Sequence, residues 1–277
     1  MKGTIALDLD GTLTDHSHEL FPEVIEYLKS LVEGGWRLIF VTGRTYKSGY
    51  RTLKVLPFNY FLAVQNGAII LEMPSQVIVA KRYLDRSIFQ GMDDVCRGEP
   101  SDFVIYGGYE HQDHCYFRPK RFSSDLLNYL KERLSGFNET WQAVDSFEEM
   151  ELDEFPSVKC FGQYPSASQL ARKIEDRLGL HVPLIRDPFN ANYYVVQATH
   201  AQINKGQALQ DLISLTGERG KLIAAGDDYN DLPMLALADV KIVMATAPKE
   251  LMQIADIVAP PASEQGIIRG LEAAVQK

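Results

Sequence analysis

The hydrophobic positions of this chain fall into two rhythms. Through residue 82 and again from residue 199, short, almost uniformly apolar runs alternate with stretches of helical spacing. That alternation predicts parallel strands covered on both faces and joined by crossover helices. The strands are read over 5–7, 36–41, 60–64, 221–225 and 241–244, with a last short run at Ile257-Val258. Val24, Leu28, Leu31 and Val32 recur at helical spacing after Pro22 and stop at Gly34-Gly35. Further helices are predicted over 46–56, from Asn204 through Ile213, up to Ala255 and from Gly266. Residues 69–71 and 76–79, around Pro74-Ser75, read as a hairpin hanging from the sheet.

Between residues 83 and 198 the order changes. Helices predicted over 84–95, 123–134 and 167–178 are interleaved with strands over 102–106, 115–118, 157–161, 181–185 and 193–198. Helices segregated to one face of an antiparallel sheet suit this order. The expected organisation is a doubly wound parallel α/β core in two segments, 1–82 and 199–277, interrupted by an inserted α+β module over 83–198.

Composition narrows the function classes. With 45% hydrophobic and 23% charged residues among 277, the chain is an ordinary globular one. No apolar run approaches the ~18 residues that span a bilayer. Met1-Lys2-Gly3 leads straight into a strand, so no signal peptide and a cytoplasmic location are expected. A net charge of −9 without a basic cluster opposes nucleic acid and anionic membrane as partners. Cys96, Cys115 and Cys160 are odd in number and far apart, which suggests reduced thiols rather than disulfides or a zinc site. The pattern assigns no oligomeric state.

The candidate chemistry lies where the parallel strands end. The first strand runs into Asp8-Leu9-Asp10-Gly11-Thr12, so two carboxylates one residue apart leave the strand on the same side. Carboxylates that close repel unless a cation or a shared proton intervenes. The second strand ends in Thr42-Gly43-Arg44, the third in Gln65-Asn66-Gly67, and the fourth in Gly226-Asp227-Asp228-Tyr229-Asn230-Asp231, while Lys205 opens a helix. Tips of parallel strands gather at one edge of the sheet, where α/β folds bind ligands. Gathered there, these groups make an oxygen-lined metal site, of a kind that suits Mg2+, beside a hydroxyl, an amide and an ammonium.

These motifs resemble those of the haloacid dehalogenase superfamily: Asp8-Leu9-Asp10-Gly11-Thr12, Thr42-Gly43-Arg44, Asn204-Lys205-Gly206 and Gly226-Asp227-Asp228-Tyr229-Asn230-Asp231, in order. The module between the second and third resembles the C2 cap of the Cof-type, subfamily IIB, sugar phosphatases. The resemblance spans essentially the whole chain. It implies hydrolysis of a small phosphorylated metabolite, such as a sugar phosphate, with Asp8 as nucleophile and Asp10 as proton carrier. Asp8, the main-chain carbonyl of Asp10 and Asp227 would hold Mg2+, supported by Asp231. Thr42, Gly43, Lys205 and Asn230 would grip the phosphoryl group. The chain departs from the family pattern at Met244-Ala245-Thr246-Ala247 and Gln265-Gly266, which lie outside the four motifs. A phosphomutase of the phosphomannomutase type and a silent binding or regulatory protein are the rival readings.

Other positions carry plainer expectations. Arg44 is read as a substrate contact or a surface ion pair, and Asn66 as a turn residue or a substrate neighbour. Residues 216–222 resemble a nucleotide loop, but Leu222 stands where Ser or Thr is needed, so a helix-to-strand turn is expected. His111, Asp113 and His114 are expected in a solvated hairpin loop, and His16 and His18 as exposed loop residues. Tyr106, Phe117 and Tyr193 are expected in the core of the inserted module.

Overall fold

The first apolar run forms β1 (Gly3–Leu7), buried at every residue. A computed structural model of the protein describes residues 2–15, 18–137, 139–187, 189–217 and 220–277. After β1 come α1 (Pro22–Glu33), β2 (Trp36–Val41), α2 (Tyr46–Leu53), β3 (Tyr60–Val64), β4 (Ile69–Met73) and β5 (Val77–Lys81). The middle of the chain forms β6 (Leu84–Asp85), α3 (Phe89–Cys96), β7 (Val104–Tyr106), β8 (Cys115–Phe117), α4 (Ser124–Phe137), β9 (Trp141–Ala143), β10 (Glu154–Phe155), β11 (Ser157–Gly162), α5 (Tyr164–Leu178), β12 (Leu184–Arg186) and β13 (Tyr194–Ala198). The last segment forms α6 (Lys205–Thr216), β14 (Lys221–Gly226), α7 (Leu232–Leu237), β15 (Val240–Met244), α8 (Lys249–Gln253), β16 (Ile257–Ala259) and α9 (Gly266–Gln276). Two compact units result, one of residues 1–44, 48–81 and 204–277 and the other of 45–47 and 82–203.

The first unit is built on an eight-stranded sheet in the order β16-β15-β14-β1-β2-β3-β4-β5. The strands from β16 to β3 run parallel, and β4 and β5 are antiparallel additions at the edge. The hairpin thus extends the sheet instead of hanging from it, because β4 pairs with β3 along its whole length, from Tyr60 opposite Met73 to Val64 opposite Ile69. β1 is central: Leu7 lies opposite both Ala225 of β14 and Phe40 of β2. The order of strands reverses there, which makes it the switch point of the sheet. Ala6, Ile39, Val41, Ala224 and Val243 pack under Leu209 and Leu212 of α6 and Met234 and Leu235 of α7. The opposite face carries α9, whose Gly270 lies against Ile242, with α1 beside it. Helices on both faces define a doubly wound sheet, as expected.

The second unit departs from the expected architecture in three ways. Residues 84–95 do not form one helix: β6 pairs with β10, and Asp85 caps a short turn by accepting from Ser87 N at 2.8 Å before α3 begins. The six-stranded sheet, β12-β13-β11-β7-β8-β9, is not wholly antiparallel, since β8 and β9 pair in parallel. The crossover that a parallel pair requires is supplied by α4. Nor are the helices confined to one face. Ile105, Val158, Cys160 and Val196 pack against α3 and α5, whereas Val104, Tyr106, Phe161 and Val195 pack against Leu126, Tyr129 and Leu130 of α4. Alternation along β7 and β11 supplies both faces. Tyr106 is fully buried in that second cluster, and Phe117 and Tyr193 pack at its margin, as predicted.

Asp113 is not solvated. It is buried, accepts a hydrogen bond from Lys47 N at 2.5 Å, and burial pushes its carboxyl above the usual range. Gly217 takes the left-handed conformation that ends α6 and Lys221 starts β14, as a helix-to-strand turn requires; Glu218 and Arg219 lie outside the described residues. Among the described residues no helix is long and apolar enough to cross a membrane.

Candidate active site

The site is assembled at the C-terminal tips of the first unit's parallel strands. Asp8 follows β1 directly, and its N–H still donates to the Ala225 carbonyl of β14 at 3.0 Å. The chain then turns back sharply: the N–H groups of Leu13 and Thr14 both donate to the Leu9 carbonyl at 2.9 Å. Gly11 takes φ +83° in this turn, and a Cβ there would stand 2.9 Å from Asp227 Oδ1. Glycine is needed for both reasons. Thr12 Oγ1 donates to the same Asp227 oxygen at 3.2 Å, so the turn after β1 is pinned to the tip of β14.

Lys205 is the first residue of α6. Asn204 caps the helix by accepting from Gln207 N at 2.9 Å. A helix N-terminus disfavours an ammonium. Lys205 is nonetheless only 2% exposed, because Nζ lies 2.5 Å from Asp8 Oδ1 and 2.6 Å from Asp231 Oδ1. Asp231 is fully buried. Its other oxygen, Oδ2, accepts from Asp227 N at 2.9 Å and Asp228 N at 3.1 Å. Gly226 permits this approach, since a Cβ there would stand 2.5 Å from the Asp231 side chain. Both oxygens of Asp231 are therefore committed, one to Lys205 and one to the turn that carries Asp227.

Asp8, Asp227 and Asp231 each bring a carboxylate oxygen within 4.8 Å of the others. Three carboxylates face one ammonium. Burial pushes Asp8 well above the ordinary carboxylate range, with Asp231 and Asp227 adding to it and Lys205 opposing. Asp227 is pushed up to about 7, by burial first and by Asp231 next. Burial would lower Lys205, but Asp231 and Asp8 outweigh it and raise its pKa above the ordinary lysine value. This surplus of buried negative charge, carried on oxygen alone, fits a hard divalent cation. With Asp231 engaged on both oxygens, Asp8 and Asp227 are the side chains placed to hold it.

Asp10 belongs to a different cluster. Its carboxylate accepts from Nε and Nη2 along one edge of the Arg44 guanidinium, whose Nη1 donates to Thr52 Oγ1 at 2.8 Å, and it lies 3.2 Å from His18 Nδ1. Burial would raise Asp10, but the His18 and Arg44 contacts overrule it and hold the carboxyl well below the usual range. Arg44 is an ion-pair partner as one of its two expectations had it, yet it is 11% exposed rather than on the surface. His18, expected to be exposed, is half-buried between Arg44 and Asp10, while His16 lies outside the described residues.

Thr42, 1% exposed, follows β2. Its Oγ1 accepts from Arg44 N at 3.1 Å across Gly43, which leaves the hydroxyl hydrogen to be donated elsewhere. Asn66 N donates to the Thr42 carbonyl at 2.8 Å, tying the tips of β2 and β3 together. The Asn66 side chain is buried with no partner on either amide atom among the described residues, in a left-handed turn at φ 59°. Asn230 is half-buried on the turn Tyr229–Asp231. Thr12, His18 and Thr52 are the contributors that sequence reasoning missed. Only Thr12, inside the first motif, had a signal that could have found it.

Comparison with known proteins places this geometry. The profile of the haloacid dehalogenase-like hydrolases matches residues 5–271. The pyridoxal phosphate phosphatase of Escherichia coli is 27% identical over 278 residues, covering 92% of each chain. A haloacid dehalogenase-like hydrolase from Bacteroides thetaiotaomicron superposes with a TM-score of 0.78 at 22% identity, over 99% of this chain and 100% of the other. A HAD subclass IIB sugar phosphatase superposes with a TM-score of 0.74 at 18% identity, over 98% of both chains. The chain belongs to the haloacid dehalogenase-like hydrolase family. It has the fold of that family, a Rossmann-like α/β core interrupted by a second compact unit.

Proposed function

We propose that the enzyme hydrolyses small phosphomonoesters with Mg2+ through an aspartyl-phosphate on Asp8, and that its substrate is a sugar phosphate or a related metabolite. The observation that carries this reading is the Lys205–Asp8 contact, 2.5 Å long, inside a cluster of oxygen ligands at the sheet's switch point. Lys205 opposes the upward pull of burial on Asp8 and offers positive charge to a phosphoryl group that docks there.

Asp8 attacks phosphorus and the bond to the leaving oxygen breaks; Asp10, ionised at rest against Arg44, takes up a proton as that pairing opens and delivers it to the departing alcohol. Asp10 then takes a proton from water, whose oxygen attacks phosphorus as the bond from phosphorus to Asp8 breaks, so that phosphate leaves and the Asp8 carboxylate is regenerated. Thr42 and Lys205 hold the phosphoryl oxygens during both steps, with Gly43 at the turn and Asn230 beside them. Mg2+ held by Asp8, the Asp10 carbonyl and Asp227, with Asp231 in support, would supply charge neutralisation at the phosphoryl oxygens. We assign residues 83–198 as the C2-type cap. Cytoplasmic residence accords with three free, buried cysteines.

The test is phosphate release from a panel of phosphorylated metabolites, with Mg2+ and with chelator, by the wild type and Asp8→Asn. Release that requires Mg2+, needs no bisphosphate activator and vanishes in Asp8→Asn is expected. Transfer to a second hydroxyl without free phosphate would replace this reading with a mutase.

A further inference from the structure

The second unit buries two opposite charges that do not pair with each other. Lys159 stands on β11 between Val104 of β7 and Gln197 of β13, on the face that Tyr106 and Phe161 share. It is 6% exposed and its Nζ lies 4.2 Å from the centre of the Tyr106 ring, yet among the described residues the ammonium has no hydrogen-bond or ion-pair partner. Glu139 is already committed, since its Oε2 accepts from Tyr106 at 3.2 Å, Arg133 Nη1 at 3.0 Å and Trp141 Nε1 at 2.9 Å. Asp113 lies in the turn between β7 and β8 and is 7% exposed. Its N–H donates to the Gly108 carbonyl at 2.8 Å and its Oδ2 accepts from Lys47 N, in the same unit, at 2.5 Å. Its Oδ1 is buried with no partner among the described residues. Burial pushes Lys159 down to about 8 and pushes Asp113 up, and each of the two opposes that push on the other.

We propose that Lys159 and Asp113 form a hydroxyl-binding site that selects polyhydroxylated phosphomonoesters: one alcohol group of the substrate accepts from Lys159 Nζ and donates to Asp113 Oδ1. The site lies within the second unit, and the inference rests on the phosphatase reading. A buried charge without a partner is costly, so the two groups together call for a ligand that accepts from one and donates to the other. A second anionic group on the substrate would be drawn to Lys159 but repelled by Asp113, and a cationic group would meet the reverse. An alcohol is neutral and offers a lone pair and a proton from one oxygen, which suits both.

The experiment measures kcat/KM for phosphate release from glucitol 6-phosphate, ribose 5-phosphate and glycerol 3-phosphate against n-hexyl phosphate, whose alkyl chain carries no hydroxyl. The wild type should prefer at least one hydroxylated ester by about tenfold or more. Lys159→Met, similar in length but unable to donate, should lower kcat/KM on that ester about 10- to 100-fold, the worth of a hydrogen bond to a charged group, and on n-hexyl phosphate less than about threefold. Asp113→Asn keeps an oxygen for Lys47 N but turns an amide towards the site, so it should show the same selectivity at smaller size. A water held there as packing alone would shift the melting temperature of both variants and leave the ratio between esters at its wild-type value. That result, or equal losses on both kinds of ester, would overturn the proposal. If one variant does not fold, the ratio in the other decides, and a wild type without preference for any hydroxylated ester overturns the proposal whatever the variants do. The two levels fail differently. No phosphate release from any ester sinks the phosphatase reading, whereas release from all of them without preference sinks only the hydroxyl site.

Discussion

Asp231 holds Lys205 in place from the side opposite Asp8, with Nζ 2.6 Å from Oδ1 and both side chains buried. Its second oxygen takes two main-chain N–H groups, so removing the carboxylate strands an ammonium and two donors at once. Asp231→Ala should cost roughly 3–5 kcal/mol, the range for breaking a buried ion pair from one side. Asp231→Asn, which can still accept, should cost less. Thermal unfolding of the two variants beside the wild type checks the order.

Asp8→Asn should lose all phosphate release and yet melt higher than the metal-free wild type near neutral pH. Burial and the neighbouring carboxylates already work against a charge at Asp8, and asparagine removes that charge while Lys205 keeps Asp231. A melting temperature that falls by several degrees would show that the Lys205–Asp8 pair is a net source of stability.

Asp10→Asn should leave the fold intact, because the amide oxygen still accepts from Arg44. Turnover of alkyl phosphomonoesters should fall by about 100- to 10,000-fold, the span associated with losing a general acid–base. Steady-state kinetics together with a cooperative melt, lowered modestly at neutral pH because the charged pairing with Arg44 is weakened, checks both halves.

The metal-free protein should lose stability as pH rises from about 5 to 8. Asp227 titrates near 7 when folded, above its unfolded value of roughly 3.9. Its protonation therefore favours the folded state, and that contribution is complete below about pH 4 and is lost as pH climbs through 7. Asp10 has the opposite sign: its depressed pKa adds stability above the unfolded value, which is lost in acid. Melting curves across this range should slope less in Asp227→Asn than in the wild type. Added Mg2+ should restore the wild type most at the alkaline end.

The sequence by itself determined the alternation of strands and helices, and with it the edge of the sheet at which Asp8, Thr42, Lys205 and Asp227 would meet. Those features were legible because parallel strands buried on both faces leave long apolar runs, and because each run ends in a short polar segment whose spacing is local. The inserted unit was harder to read. Its strands β7, β8 and β9 are three residues long, too short to show a period, and whether α4 covers the face opposite α3 and α5 depends on packing rather than pattern. Tertiary structure alone decided that Asp10 answers to Arg44, 34 residues away, and that Arg44 answers to Thr52 and His18. A contact between tips and loops leaves no periodic trace in the chain. So the residues that gather at the sheet edge could be read in advance, but the division of their carboxylates into a lysine-bound cluster and an arginine-held Asp10 could not, since that depends on which side chains the turns bring within hydrogen-bond reach.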